Sequence, residues 1–208
     1  MEKVDFKKQG ALYALKKEPA VVDVPAMRFI MIDGRGNPNN PDGEYPKALE
    51  LLYGLTYTIK MMPKSGETPP DYFEYVIPPL EGLWDMGFSG FDPNRKDEFI
   101  WTSMIRQPEF VTSAVFDRAK ELLHKKKPQL ALDKARLVTF TEGLCAQILH
   151  VGAFDDEPPT VEKLHAFIAA SGHALDMTPT RRHHEIYFND PRRCDPGKAK
   201  ALIRLPIK

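Results

Sequence analysis

The stretch Glu142-Gly143-Leu144-Cys145-Ala146-Gln147-Ile148-Leu149-His150-Val151, closed by Gly152, decides the fold, because the elements after it repeat an order already seen upstream. The run is apolar and of strand length, and glycine ends it. Residues 155–159 (DDEPP) then open a helix, since acidic groups and proline favour a first turn. That helix sets Val161, Leu164 and Ile168 on one face, and Gly172 supplies the stop. Residues 173–176 and 182–189 read as two short strands around Thr178-Pro179-Thr180. Upstream, residues 26–33 (AMRFIMID) form a strand that Gly34-Arg35-Gly36-Asn37-Pro38 closes. Ala48, Leu51, Leu52, Leu55 and Ile59 recur at helical spacing, and residues 71–77 (DYFEYVI) and 80–86 (LEGLWDM) follow as strands. Both halves therefore read strand–helix–strand–strand, a repeat of element order with little identity of residues.

Between the halves lies a different section, residues 88–134. Its residues 99–105 (FIWTSMI) are strand-like. Thr112 caps a helix carrying Val115, Phe116, Ala119, Leu122 and Leu123. His124-Lys125-Lys126-Lys127 ends that helix, where cationic groups suit the dipole; a solvated helix end explains the run better than a binding patch.

The 208 residues suffice for one large domain or two small ones. Lys and Arg number 29, as do Asp and Glu, so the formal net charge is zero; nucleic acid, which needs concentrated positive surface, is disfavoured as a partner. Hydrophobic residues at 42% can fill a core, and 19 prolines call for short elements and stiff loops. No stretch approaches the roughly 20 apolar residues of a membrane span, and the N-terminus lacks the apolar segment of a signal peptide. Two cysteines are too few for a disulfide framework: Cys145 reads as core and Cys194 as an incidental surface thiol. The expected compartment is the cytoplasm.

Several chemistries are excluded at this level. Gly34-Arg35-Gly36 lacks the rest of a phosphate-binding fingerprint, and no serine sits in a G-x-S-x-G elbow. His183 and His184 are adjacent in a strand and point to opposite faces, so they do not share a metal, and none is expected. What remains are carboxylates embedded among aromatic strand residues: Glu185 before Tyr187, Glu81 before Trp84, and Glu74 between Phe73 and Tyr75. A single such glutamate fits an exposed sheet face or a salt bridge. Three together fit a shared pocket equally well, because burying each alone is costly.

The segments Pro79-Leu80-Glu81-Gly82-Leu83-Trp84, Trp101-Thr102-Ser103-Met104-Ile105-Arg106-Gln107-Pro108, Glu142-Gly143-Leu144 and His183-His184-Glu185-Ile186-Tyr187-Phe188-Asn189-Asp190-Pro191-Arg192-Arg193 resemble stand-alone GyrI-like small-molecule-binding proteins. The resemblance implies an α+β fold of two pseudo-twofold strand–helix–strand–strand modules, with an antiparallel sheet, helices on one side and a ligand groove between modules. On that pattern residues 1–208 are a single domain: module one over about 21–87, the inserted section over about 88–134, and module two over about 135–206. Relatives serve as effector-sensing domains or protect DNA gyrase. Some stand-alone members hydrolyse cyclopropanoid DNA-alkylating toxins, and this chain, with no room for a DNA-binding domain, looks closer to those.

The resemblance implies Glu185 as the groove glutamate, with Glu81 as its counterpart, or Glu74 if the register differs; Glu157 is a further acid that can border the groove, although its bland role is at a helix start. Tyr53, Tyr57, Trp84, Phe99, Trp101 and Tyr187 are the candidate walls for a flat hydrophobic ligand, with core packing as the alternative for each. No cofactor, metal, membrane or direct nucleic-acid partner is implied. Sequestration of a drug without turnover, or a gyrase-protecting interaction, are the alternative functions.

Overall fold

The structure is a computed structural model and describes residues 3–87, 95–189 and 194–208. Its strands are β1 (Val4–Asp5), β2 (Ala20–Arg35), β3 (Tyr75–Val76), β4 (Leu80–Asp85), β5 (Ile100–Gln107), β6 (Ala135–Val151), β7 (His183–Tyr187) and β8 (Lys200–Pro206). The α-helices among the described residues are α1 (Glu44–Met61), α2 (Ser113–Lys126) and α3 (Pro158–Ala170). Six strands pair antiparallel in the order β2-β5-β4-β7-β8-β6, and β6 pairs back onto β2 to close a barrel.

Mixed helix and antiparallel sheet is as the resemblance implies, and the sheet closes into a six-stranded barrel. The reason lies in the length of two strands. β2 and β6 run 16 and 17 residues, so both extend well before the apolar segments that announce them. Those extensions pair with each other, as in Val22↔Cys145 and Phe29↔Val138, and remove the sheet's free edges.

The strand and helix order is β2-α1-β3-β4-β5 in the first half and β6-α3-β7-β8 in the second, and the strands are not all those the sequence suggests. Residues 71–77 contribute only the short β3, which pairs with β1. Their rings cluster instead: Tyr72, Phe73 and Tyr75 all pack on Phe110. Residues 173–176 hold one isolated bridge, Leu175↔Ile207. The strand expected within the inserted section, β5, is central to the barrel between β2 and β4. Residues 88–94 of that section lie outside the described residues.

α1 is amphipathic as read, burying Ala48, Leu51, Leu52, Leu55 and Ile59, and it packs on the outer barrel face over Ile30, Ile32 and Ile105. α3 buries Leu164 and Ile168 over Ala146, Ile148 and Ile203. α2 packs against α1, and its start is fixed by the Thr112 hydroxyl, which accepts from the Val115 N–H. The helices leave the outer face of β4 and β7 between α1 and α3.

The barrel interior combines an apolar cluster, including Met27, Phe29, Leu83, Met104 and Cys145, with a buried ionic chain. His184 bonds Glu81 Oε2 through Nε2 at 3.0 Å and Glu142 Oε1 through Nδ1 at 3.0 Å. Arg204 donates to Glu142 Oε2 at 2.8 Å, to Gln147 Oε1 at 3.1 Å and to the Leu12 carbonyl at 2.6 Å. The Tyr13 hydroxyl donates to Glu81 Oε1 at 3.3 Å, so the N-terminal segment closes this interior. Gly143, at φ 73°, lets β6 change phase, so that Glu142 turns inward with Cys145 and Gln147 despite an odd spacing from them.

Burial by itself would raise the Glu142 carboxyl, yet His184 and Arg204 bring it down to about 2. Its stabilisation is complete above pH 4.5 and is lost as the pH falls through 2. His184 moves the other way: burial opposes its charge, but Glu142 and then Glu81 raise it. Its contribution is complete below pH 6.5 and is lost as the pH rises through the folded value. Urea midpoints are therefore expected to be highest between about pH 4.5 and 6.5, the ordinary values of the two groups. Glu142→Gln should flatten the acid limb; an acid limb unchanged in that variant would contradict the assignment.

Candidate functional site

Strand alternation sorts β7 into two chemistries. His184 and Ile186 face the barrel interior, while His183, Glu185 and Tyr187 face outward between α1 and α3. The register pairs Gly82 with Glu185 and Trp84 with His183, so Gly82 and Trp84 share this outer face. Glu81 does not. It is one residue out of phase, and lies on the opposite side of the sheet, bonded to His184. The expected pairing of Glu185 with Glu81 in one groove is thereby corrected, and Gly82 stands across from Glu185.

The second acid beside Glu185 is Glu157. It sits at the N-cap of α3 but makes no capping hydrogen bond with its side chain. Instead Glu157 Oε1 lies 3.2 Å from His183 Nε2, and Glu185 Oε1 lies 3.4 Å from the same nitrogen. Side chains of all three are about nine-tenths buried, at 9–11% exposure. His150 holds the loop that delivers Glu157: its Nε2–H donates to the Ala153 carbonyl at 3.0 Å and its Nδ1 accepts from the Thr160 hydroxyl at 2.9 Å.

Glu157 and His183 are shifted by their neighbours. Burial pushes the Glu157 carboxyl up, the neighbouring Glu185 carboxylate pushes it further, and the result stays above the ordinary range against the pull of His183. Burial would lower the His183 imidazole, but Glu157 and Glu185 bring it up to about 10. The Tyr187 phenol is driven well above its ordinary value by burial and then by Glu185.

Aromatic rings wall this cluster. The Trp84 indole donates to the Tyr187 hydroxyl at 2.9 Å. Phe154 stands edge-on to Tyr187 at 5.5 Å, and Phe99 and Tyr45 each lie 5.7 Å from Trp84. Trp84, Phe99 and Tyr187 thus lie together beside this cluster. Trp101 lies one layer back, edge-on to Tyr45 at 5.0 Å with its indole on the Gly36 carbonyl. Tyr53 is half-buried on α1 and pairs with Tyr57 at 6.3 Å, while Tyr57 is 55% exposed. Glu74 is at the surface with Lys60 and Tyr72, outside the cluster.

Tyr45, Phe154 and His183 were not singled out. The signal for His183 was present in the same alternation that selected Glu185, since residues two apart on a strand share a face.

A Cβ at Gly82 would sit 2.7 Å from Trp84 Nε1 and 3.2 Å from the Tyr187 hydroxyl. Gly82→Ala is therefore expected to break the Trp84–Tyr187 bond and destabilise the fold by about 1–3 kcal/mol. Denaturant unfolding and tryptophan emission check this; unchanged values in both would contradict the close approach.

A cavity of about 320 Å³ lies elsewhere, between α1 and residues 129–134, lined by Ile32, Asp33, Lys47, Leu51, Trp101 and Lys134 among others. Asp33 there is already held by Thr102 and Arg136, and the lining holds no imidazole.

Convergent ionisable groups beside aromatic rings are the composition of a small-molecule site. The chain belongs to the GyrI-like family: the GyrI-like small molecule binding domain matches residues 17–208. Three crystal structures of Listeria innocua proteins are similar over 99–100% of this chain and all of theirs. One, described as an uncharacterized conserved protein, has 43% identity and a TM-score of 0.94. Two described as hydrolases have 43% and 44% identity and TM-scores of 0.89 and 0.90. The C-terminal domain of EcmrR shares the fold at 10% identity and a TM-score of 0.52, over 92% of this chain and 97% of its own. No match was found among curated proteins. No helix among the described residues is long and apolar enough to cross a membrane.

Proposed function

We propose that this protein hydrolyses flat, hydrophobic DNA-alkylating toxins whose strained cyclopropane is conjugated to a dienone, in a groove between two related strand–helix–strand–strand modules. The observation that carries the reading is the buried Glu157–His183–Glu185 cluster behind the rings of Trp84, Phe99 and Tyr187. The hydrolase descriptions of two neighbours at 43–44% identity support the reaction class.

In this mechanism the toxin stacks on the aromatic walls, which exclude water from all but the reacting position. Glu185 takes a proton from a water whose oxygen attacks the cyclopropane CH2 carbon. The ring C–C bond breaks, and its electron pair passes into the dienone, which becomes a phenolate. Glu157, whose carboxyl burial and Glu185 push up, returns a proton to that oxygen. The carbon–oxygen bond formed and the carbon–carbon bond lost balance with one water consumed, and the electrophile that alkylates DNA is gone. His183 keeps the two carboxyl groups converged. The second acid is thus Glu157, with Glu81 serving the barrel interior.

Sequestration is the alternative reading. Paired carboxylates beneath aromatic rings also suit a cationic drug held without chemistry. The two separate by mass analysis of a cyclopropanoid toxin incubated with a tenfold deficit of protein. Conversion of the whole pool to the water adduct is expected. Loss of only one equivalent of free toxin, recovered intact on denaturation, would overturn the hydrolase reading and establish binding.

A further inference from the structure

We propose that the Glu157–His183–Glu185 cluster is a binding site for a first-row divalent cation, with zinc the best match. Its donor set is one imidazole nitrogen and two carboxylates, all with atoms within 4.8 Å of one another. Neighbouring ligands in a tetrahedral zinc site with bonds near 2.0–2.1 Å are about 3.3 Å apart. The two separations found, 3.2 and 3.4 Å, match that edge length. They are longer than the roughly 2.7–2.9 Å of a good charge-assisted hydrogen bond. Among the described residues Glu157 Oε1, though buried, has only the longer contact with His183, and its carboxyl is not used to cap its own helix. The Glu185 carboxyl is also steadied from behind by Tyr187, an arrangement that orients a ligand.

The donors are a buried imidazole and two buried carboxyl groups walled by Tyr187, Phe154 and Trp84, and a divalent cation held by two carboxylates and a neutral ring leaves no net charge. Three protein donors leave one position of a tetrahedral ion to another ligand, the composition of zinc sites that accept an exogenous one. Magnesium, which needs six oxygen ligands in near-ideal octahedral geometry, fits poorly.

This proposal does not rest on the hydrolase reading. A cation here would occupy the carboxylate oxygens that the reading assigns to water and proton, so binding itself is the readout. Chelator-stripped full-length protein is titrated with Zn²⁺ by calorimetry and with Co²⁺ by visible absorption. One ion per chain is expected, with a tetrahedral Co²⁺ spectrum lacking a thiolate charge-transfer band. His183→Asn, Glu157→Gln and Glu185→Gln should each weaken binding by more than about 100-fold, since loss of supporting partners alone costs 10–100-fold. Cys194→Ser should leave it unchanged. Zn²⁺ should also raise the unfolding midpoint of the unaltered protein where Mg²⁺ does not, a comparison that needs no variant to fold. Absence of saturable uptake, uptake that survives all three substitutions, or a midpoint indifferent to Zn²⁺ would each overturn the site.

Discussion

Glu185→Gln is expected to lower turnover of a cyclopropanoid toxin by about 10²–10⁴-fold, the contribution typical of a positioned general base. Glutamine fills the same volume beside His183 and Tyr187, so the walls that stack the ligand stay in place. The loss should accordingly appear in kcat, with KM changed little, because the proton is accepted only as the water attacks. Glu157→Gln should lower kcat as well, through the proton it can no longer return to the phenolate oxygen. Glu81→Gln is the contrasting variant. Its carboxylate is on the other side of the sheet, bonded to His184 and Tyr13, so its effect should fall on stability. Rapid-quench assays of the three purified variants distinguish these outcomes. Full turnover in Glu185→Gln, or a kcat loss confined to Glu81→Gln, would place the chemistry elsewhere.

Arg204→Met should destabilise the folded protein by about 3–5 kcal/mol, the cost of leaving a buried charge without its partner. Arg204 is 1% exposed and Glu142 3%, so water cannot take over the lost interaction. Methionine approximates the aliphatic stem but supplies none of the bonds that reach Glu142, Gln147 and the Leu12 carbonyl. Glu142 then retains its bond to His184, and one anchor of the N-terminal segment, on the Leu12 carbonyl, is lost. Because the residues form one chain of contacts, Glu142→Gln added to Arg204→Met should cost less than the sum of the two single changes. Urea unfolding measures this as a lowered midpoint at constant slope. A loss under 1 kcal/mol would mean that the interior ion pairs are not coupled as described.

Local signals in the sequence carried the individual elements further than their assembly. The helical spacing of Ala48, Leu51, Leu52, Leu55 and Ile59 and the Thr112 cap appear in the structure as read. Residues 71–77 misled because aromatic richness is shared by strands and by ring clusters, and here Phe110, distant in sequence, gathers the rings. The barrel's closure was hidden in the polar alternation of residues 20–25 and 135–141, which looks like a loop when one strand is read without the other. Register explains the outcome for the glutamates. Period two fixes Glu185 relative to His183 and Tyr187 within β7, but no local pattern fixes β7 against β4, and a one-residue difference puts Glu81 inside the barrel. His183 was passed over for a related reason: it was judged against His184 on the opposite face, when its partners were Glu185 two residues on and Glu157 from another element.

The central claim is that water, activated by Glu185, attacks the cyclopropane directly. A single turnover in oxygen-18 water, with protein in excess over toxin, tests it. The ring-opened product of the first turnover should carry oxygen-18. A first product carrying oxygen-16, with oxygen-18 left in the peptide bearing Glu185, would contradict it, because the carboxylate itself would then have attacked the ring.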